Sequence, residues 1–237
     1  MNIATRKGRK GFTLVELLVV IAIIVALAAL ATPQIFKALK RAALAEALNN
    51  ARQVKFALDG FASDFDGQFP NDDTGEKVVE GGTGQAFSND YFRQLFMSGE
   101  TQSETIFWVK NSPVARKSSP DDKVSEGGKP QQQLILQAGD CHWAYMTEQT
   151  NTSNVARPLI LDGYRKGGTE FDPDTWDRKV VVLRIDGSVK PLRMRISDNK
   201  VLDGSNNDII SNRADAWEGS GESPAELLEQ PQPRNTN

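Results

Sequence analysis

The chain has 237 residues, with 28 Lys and Arg against 31 Asp and Glu and a net charge of −3 at pH 7. Its basic residues are dispersed rather than gathered into a stripe, which argues against a nucleic-acid binder. The single cysteine, Cys141, excludes an intrachain disulfide and a Cys-rich zinc site.

Residues 1–11 form a basic leader containing Arg6, Lys7, Arg9 and Lys10. Residues 12–32 then carry one charge, Glu16. As a helix this run reaches about 32 Å, enough to cross a bilayer core. Residues 12–33 are therefore expected to span a membrane, with the basic leader holding the N-terminus in the cytoplasm.

Three fates are open to this segment. A plain signal anchor would keep it all. A secretory signal peptide would be removed after it, and Ala29-Leu30-Ala31 spells the small-x-small cleavage pattern. Against removal stand the length of the run and Glu16 within it. A carboxylate at the centre of a spanning helix costs about 2.5–3.5 kcal/mol, with no gain to a discarded peptide. The third fate follows from the run Gly11-Phe12-Thr13-Leu14-Val15-Glu16-Leu17-Leu18. It resembles the processing site of type IV prepilins and type II secretion pseudopilins. The resemblance implies that a prepilin peptidase cuts between Gly11 and Phe12 and methylates the new amine. The apolar helix then stays on the mature protein, with Glu16 as its fifth residue. Phe12 and Glu16 become the assembly residues: a positive amine and a carboxylate one helical turn away can pair, within or between subunits. Pairing offsets their desolvation, and leaving one alone is costly. Glu16 simply reaching the headgroups is the alternative.

The apolar pattern continues through Phe36, Leu39, Ala43, Ala47, Ala51, Val54, Leu58, Phe61 and Phe65, at steps of three or four. This spacing predicts an amphipathic helix over residues 34–65, continuous with the spanning part to about residue 59. Pro33 has no N–H for the Ala29 carbonyl, so a kink or local melting is expected over residues 29–33. The resemblance also places a helix-interior proline here. Ala22, Ala26, Ala28, Ala29 and Ala31 allow close helix approach.

Residues 65–73 are a dense turn signal. Gly67-Gln68-Phe69-Pro70 within them resembles the turn that ends the helix of major pseudopilins. Residues 66–218 read as the globular domain. Residues 76–84 are expected to be flexible, and residues 112–130 to be a long surface loop. Residues 90–95 fit a short helix presenting Tyr91, Phe92, Leu95 and Phe96 to the core. Residues 141–146 and 158–161 are short strand-like runs. Residues 179–185 and 188–194 flank Asp186-Gly187, which predicts a hairpin with a type I′ turn. Pro191 puts the second of these strands at a sheet edge. The fold class is α+β: a long N-terminal helix packed on a small antiparallel sheet, with Val181, Leu183 and Ile185 or their alternates against the helix. The resemblance implies the same pilin-like layout. Residues 219–237 read as a disordered tail.

No phosphate-binding glycine loop is present. His142 beside Cys141 hints at a nucleophile–base pair, but strand neighbours point to opposite faces, so a buried thiol and a partly exposed imidazole are expected. Trp108, Trp143, Trp176 and Trp217 are expected in the core. Asp198, Asp203, Ser205, Asn207 and Asp208 gather oxygen ligands near Gly204. Major pseudopilins often carry calcium in a loop of this domain, so Asp198, Asp203, Asn207 and Asp208 are candidate calcium ligands, with Asx turns as the plain alternative.

The expected function is therefore structural rather than enzymatic: a subunit of a type II secretion pseudopilus or related filament. Its implied partners are prepilin peptidase, other pilin or pseudopilin subunits, and an inner-membrane assembly platform. The implied location is a single-pass inner-membrane protein with its domain periplasmic or extracellular, later moved into a filament. The alternatives are a type IV pilin for adhesion, motility or DNA uptake and, from another class, a monomeric anchored or secreted binding module.

Overall fold

The computed structural model describes residues 12–165 and 169–234. In chain order it contains α1 (Leu14–Asp64), α2 (Asp72–Val78), α3 (Ser88–Met97), a 3-10 turn (Glu104–Ile106), β1 (Ser125–Glu126), β2 (Lys129–Pro130), β3 (Trp143–Met146), β4 (Pro158–Asp162), β5 (Lys179–Arg184), β6 (Val189–Arg193), α4 (Pro224–Leu227) and β7 (Leu228–Glu229). The expected α+β layout of a long N-terminal helix and an antiparallel sheet is present. The chain divides into two compact units, Met1–Arg41 and Ala42–Asn237.

In the first unit α1 is apolar all round from Leu17 to Ala31, and its large apolar side chains are exposed from Leu14 to Leu39. It is long and apolar enough to cross a membrane. The helix runs through Pro33 without a break, so of the expected kink or local melting the melting does not occur. Beside the Ala29 carbonyl that Pro33 cannot serve, the Thr32 hydroxyl donates to the Ala28 carbonyl at 2.7 Å.

In the second unit α1 turns one face inward. Ala43, Ala47, Ala51, Val54, Leu58 and Phe61 are buried, at helical spacing. Phe36 and Leu39, expected on the same stripe, are 63% and 55% exposed, so the buried stripe starts at Ala43. The face packs with Trp143, Tyr145, Ile160, Val181, Leu183 and Ile185 of the sheet side. Tyr91, Phe92, Leu95 and Phe96 of α3 join this core, as their spacing predicted.

The main sheet has the order β6-β5-β4-β3-β7 and is antiparallel throughout. Because side chains alternate along a strand, Val181 and Leu183 enter the α1 core while Val180 and Val182 point the other way. That second face is covered too, by Phe171, Met194, Val201, Ile209, Ile210 and Trp217. Burial on both faces explains why β5 reads as an unbroken Val-Val-Val-Leu run. Pro191 lies on edge strand β6, where its missing N–H leaves no ladder bond unmade.

Four local expectations need correction. The β5–β6 turn is not type I′. Gly187 alone is left-handed, at φ +79°, and its N–H donates to the Arg184 carbonyl at 2.9 Å. This is the three-residue form with glycine at the left-handed position. Asp72–Val78, read as turn and flexible chain, form α2, fixed by a capping box at Asn71. Thr74 N–H donates to Asn71 Oδ1 at 2.8 Å, and Asn71 N–H donates to Thr74 Oγ1 at 2.8 Å. Residues 112–130 hold the β1–β2 hairpin and bury Val114, Ala115 and Val124.

The fourth correction concerns residues 219–234, expected as part of a disordered tail. They form α4, then β7 on the outer edge of β3, then an extended strap. Ser88 N–H donates to the Gln230 carbonyl and Gly139 N–H to the Gln232 carbonyl, both at 3.0 Å. Gln232 N–H donates to Asn89 Oδ1 at 2.8 Å, and Arg234 N–H to the Val114 carbonyl at 3.2 Å. Backbone bonds hold this segment, together with Leu227 and Leu228 packed against the second core and the buried Pro224 and Pro231, and its prolines keep it extended at low entropic cost. Gly163 lets it pass closely: a Cβ there would come within 2.6 Å of Pro231 Cγ.

Candidate functional site

Gly11, the expected cleavage residue, lies outside the described residues. Its neighbour Phe12 is 75% exposed, ahead of the first turn of α1. Thr13 and Glu16 close that turn. Thr13 N–H and Thr13 Oγ1 both donate to Glu16 Oε2 at 2.8 Å, and Glu16 N–H donates to Thr13 Oγ1 at 3.2 Å. This is a capping box: a threonine N-cap and a glutamate three residues on, each satisfying the other's backbone donor. Both side-chain bonds fall on Oε2, so Oε1 takes no part in the box. Sequence reasoning gave Glu16 a charge-pairing role and missed its helix-starting one. The signal was present as Thr-x-x-Glu before an apolar run. The consequence is that the carboxylate is held one residue from the Phe12 nitrogen, the atom that cleavage after Gly11 would turn into a terminal amine.

Of the four candidate calcium ligands, Asp203 and Asn207 share one turn, while Asp198 and Asp208 are each held in an ion pair. Asp198 is paired with Arg195, which holds its carboxyl down to about 2. Asp203 closes its own turn, accepting from the Ser205 and Asn207 amides at 3.0 and 2.8 Å and from Asp215 N–H at 2.8 Å. Asp208 pairs with Lys200 at 3.0 Å. Among the described residues no group of three or more acidic, His or Cys side chains could hold a metal ion. The oxygen-rich sequence makes turns and ion pairs, the plain alternative for Asx-rich loops.

His142 is fully buried, not partly exposed as expected. It lies just before β3, where its N–H donates to the Phe107 carbonyl at 2.8 Å and brings residues 107–116 over the ring. Its Nδ1 is 2.7 Å from Ser112 Oγ and its Nε2 is 2.8 Å from Asp162 Oδ1. Asp162 Oδ2 accepts from Trp176 Nε1 at 2.8 Å and from Val181 N–H at 2.9 Å. Ser112 Oγ also accepts from the Val114 and Ala115 amides, at 3.2 and 3.0 Å. The Ser112–His142–Asp162 chain has the order of a hydrolase triad. It ties the 107–116 segment to β4 and β5 through a chain of polar bonds. Cys141 takes no part. Its thiol approaches Ser88 Oγ and the Trp143 carbonyl, and burial pushes it up to about 12. All four tryptophans are buried, and each indole N–H donates to a carbonyl or carboxylate.

Residues 6–32 match the family model described as the prokaryotic N-terminal methylation motif. The match contains Gly11, Phe12 and the Thr13–Glu16 box. It identifies a prepilin-type, type IV pilin-like N-terminus on a helix compatible with membrane anchoring. No curated protein and no solved structure matches the chain.

Proposed function

We propose that the chain is a structural subunit of a type II secretion pseudopilus or a closely related filament. Prepilin peptidase processes it after Gly11, and it assembles by packing of α1. The observation that carries this reading is the methylation motif over residues 6–32 together with a continuous α1, apolar in its first part, that begins at Leu14, shortly after the expected cut. The Gly67-Gln68-Phe69-Pro70 turn after α1 and the lone, buried Cys141 favour the secretion filament over a surface pilus.

The Thr13–Glu16 box supplies the physics. Cleavage leaves a methylated ammonium on Phe12 at the start of α1, where the helix N-terminus already carries partial positive charge. The Glu16 carboxylate is fixed nearby by Thr13, so it faces that charge without an ordering cost at assembly. Before assembly the apolar helix rests in the inner membrane, with the globular domain on the far side. In a filament, neighbouring copies of α1 replace lipid.

The deciding measurement is the intact mass and N-terminal sequence of the mature protein. The expected start is N-methylated Phe12. A start at Thr32, or a retained Met1, would overturn the reading. Glu16→Ala is expected to insert into the membrane as wild type and to abolish filaments. Loss of exported proteins in a deletion strain supports the secretion role, whereas loss of surface fibres with normal export assigns the subunit to a pilus.

A further inference from the structure

The two edges of the main sheet carry opposite charge. At one edge lies β6, paired with β5 and with no strand beyond it. Residues 178–195 bring six basic side chains to this hairpin and one acidic, Asp186, which sits at its turn. At the open end Lys179 and Arg193 stand directly opposite each other across the ladder. Like charges in that position repel. Among the described residues neither enters an ion pair. Carboxylates from outside the molecule are the complement that this pair lacks.

The opposite edge supplies them. There β7 closes the sheet, with Glu229 facing Tyr145 of β3. Glu148 follows β3, and Asp72 and Asp73 open α2, where Lys77 is the one base. Tyr91 links this group to the core by donating its hydroxyl to Asp72 Oδ1 at 3.0 Å. Burial, then Asp72 and Asp73, raise the Glu148 carboxyl; burial, then Asp72 and Asp90, raise that of Glu229. Asp72, Asp73, Glu148 and Glu229 thus crowd one another, and none has an ion-pair partner among the described residues. Exposed Lys190 and Pro191 oppose the addition of a further strand to β6, so that edge offers charge rather than backbone pairing. Two unlike faces on opposite edges make a heterologous contact, which can repeat from copy to copy without closing. The inference rests on the filament reading for its partner. We propose that the Lys179 and Arg193 edge of one globular unit docks on the Asp72, Asp73, Glu148 and Glu229 edge of a second copy.

The test is carbodiimide coupling in membranes that carry the full chain, which joins a lysine amine to a carboxylate in direct contact with loss of water. Mass spectrometry of the digested protein is expected to find Lys179 or Lys190 joined to Glu148 or Glu229. Lys190 and Glu229 stand four strand spacings apart, about 19 Å, so a link between them joins two molecules. The yield is expected to fall several-fold between about 0.01 M and 1 M salt, as the screening length shrinks from about 30 Å to about 3 Å. Lys179→Glu with Arg193→Glu is expected to cut filament yield roughly tenfold, as is Asp73→Lys with Glu148→Lys. Combining all four substitutions exchanges the signs and is expected to recover assembly. If a double variant disturbs folding, Lys179→Glu alone decides. It gives Arg193 a partner within the ladder, so the melting temperature holds while assembly weakens several-fold. Absence of the link in wild type, links that run to a different protein instead, or normal assembly of Lys179→Glu overturns the proposal. A Phe12 start without the link defeats the edge contact and leaves the filament reading standing. A Met1 or Thr32 start with the link present does the reverse.

Discussion

Glu104 opens the 3-10 turn with 1% of its surface exposed. Its Oε1 accepts the Leu136 N–H at 2.6 Å. Burial raises its carboxyl to about 7; the nearby Asp140, Asp121 and Asp122 add to this, and the Leu136 bond works against it. The folded protein therefore holds this proton more tightly than the unfolded chain, where a glutamate titrates near 4.5. Between those two values the native state binds more protons, so its stability falls as pH rises across the window. Glu104→Gln keeps an acceptor for Leu136 and removes the charge. The variant is expected to show a flatter dependence of unfolding midpoint on pH between about 4.5 and 7, and to exceed wild type above it. Urea unfolding at a series of pH values checks this; parallel curves for the two proteins would refute it. His142 teaches a related lesson. Its burial was not legible from strand alternation, because the residues that enclose it, Ser112 and Asp162, lie 30 and 20 positions away.

At the scale of elements, periodicity carried α1 and α3, because each buries a regular apolar face, whereas the Asp186-Gly187 turn signal carried the β5–β6 hairpin. It did not carry α2, whose seven residues, Asp72–Val78, bury only Thr74 and Gly75. Capping holds α2, and Gln94 of α3 reinforces the cap by donating to the Asn71 carbonyl at 2.8 Å and accepting from Thr74 Oγ1 at 2.7 Å. Asn71→Ala removes the side-chain acceptor for Thr74 N–H. It is expected to cost about 1 kcal/mol of stability. Denaturant unfolding measures this, and Asn71→Ser or Asn71→Asp should recover most of the loss. The Asp-Gly turn shows a finer limit. The dipeptide announced a hairpin, but loop length was set by the β5–β6 register, in which Leu183 faces Val189.

At the scale of the molecule, the processing motif was legible because it is local: cut site, cap and apolar run lie within one short stretch. The second sheet face and the strap were not, because both depend on partners far along the chain. Trp217, Ile209 and Ile210 cover β5 from a region rich in Asp, Asn and Gly, and residues 228–234 show almost no apolar signal. Yet the strap satisfies the Ser88 and Gly139 amides and closes the β3 edge. Deleting residues 228–237 is expected to destabilise the globular unit by about 3 kcal/mol, since buried donors are left unpaired. The exposed edge of β3 would also invite strand pairing between molecules. Unfolding midpoints and light scattering of the truncated protein test both effects, and an unchanged midpoint would show the strap to be dispensable.

Cys141, the one thiol of the chain, sits with no surface open to solvent and with its ionisation pushed far above neutrality. Since only the thiolate attacks electrophiles, a maleimide can reach it solely through transient opening of the region around α3 and β3. The native molecule thus carries a built-in clock: its alkylation rate counts how often that interior breathes, with no engineered label and no competing sulfur nucleophile of the same kind.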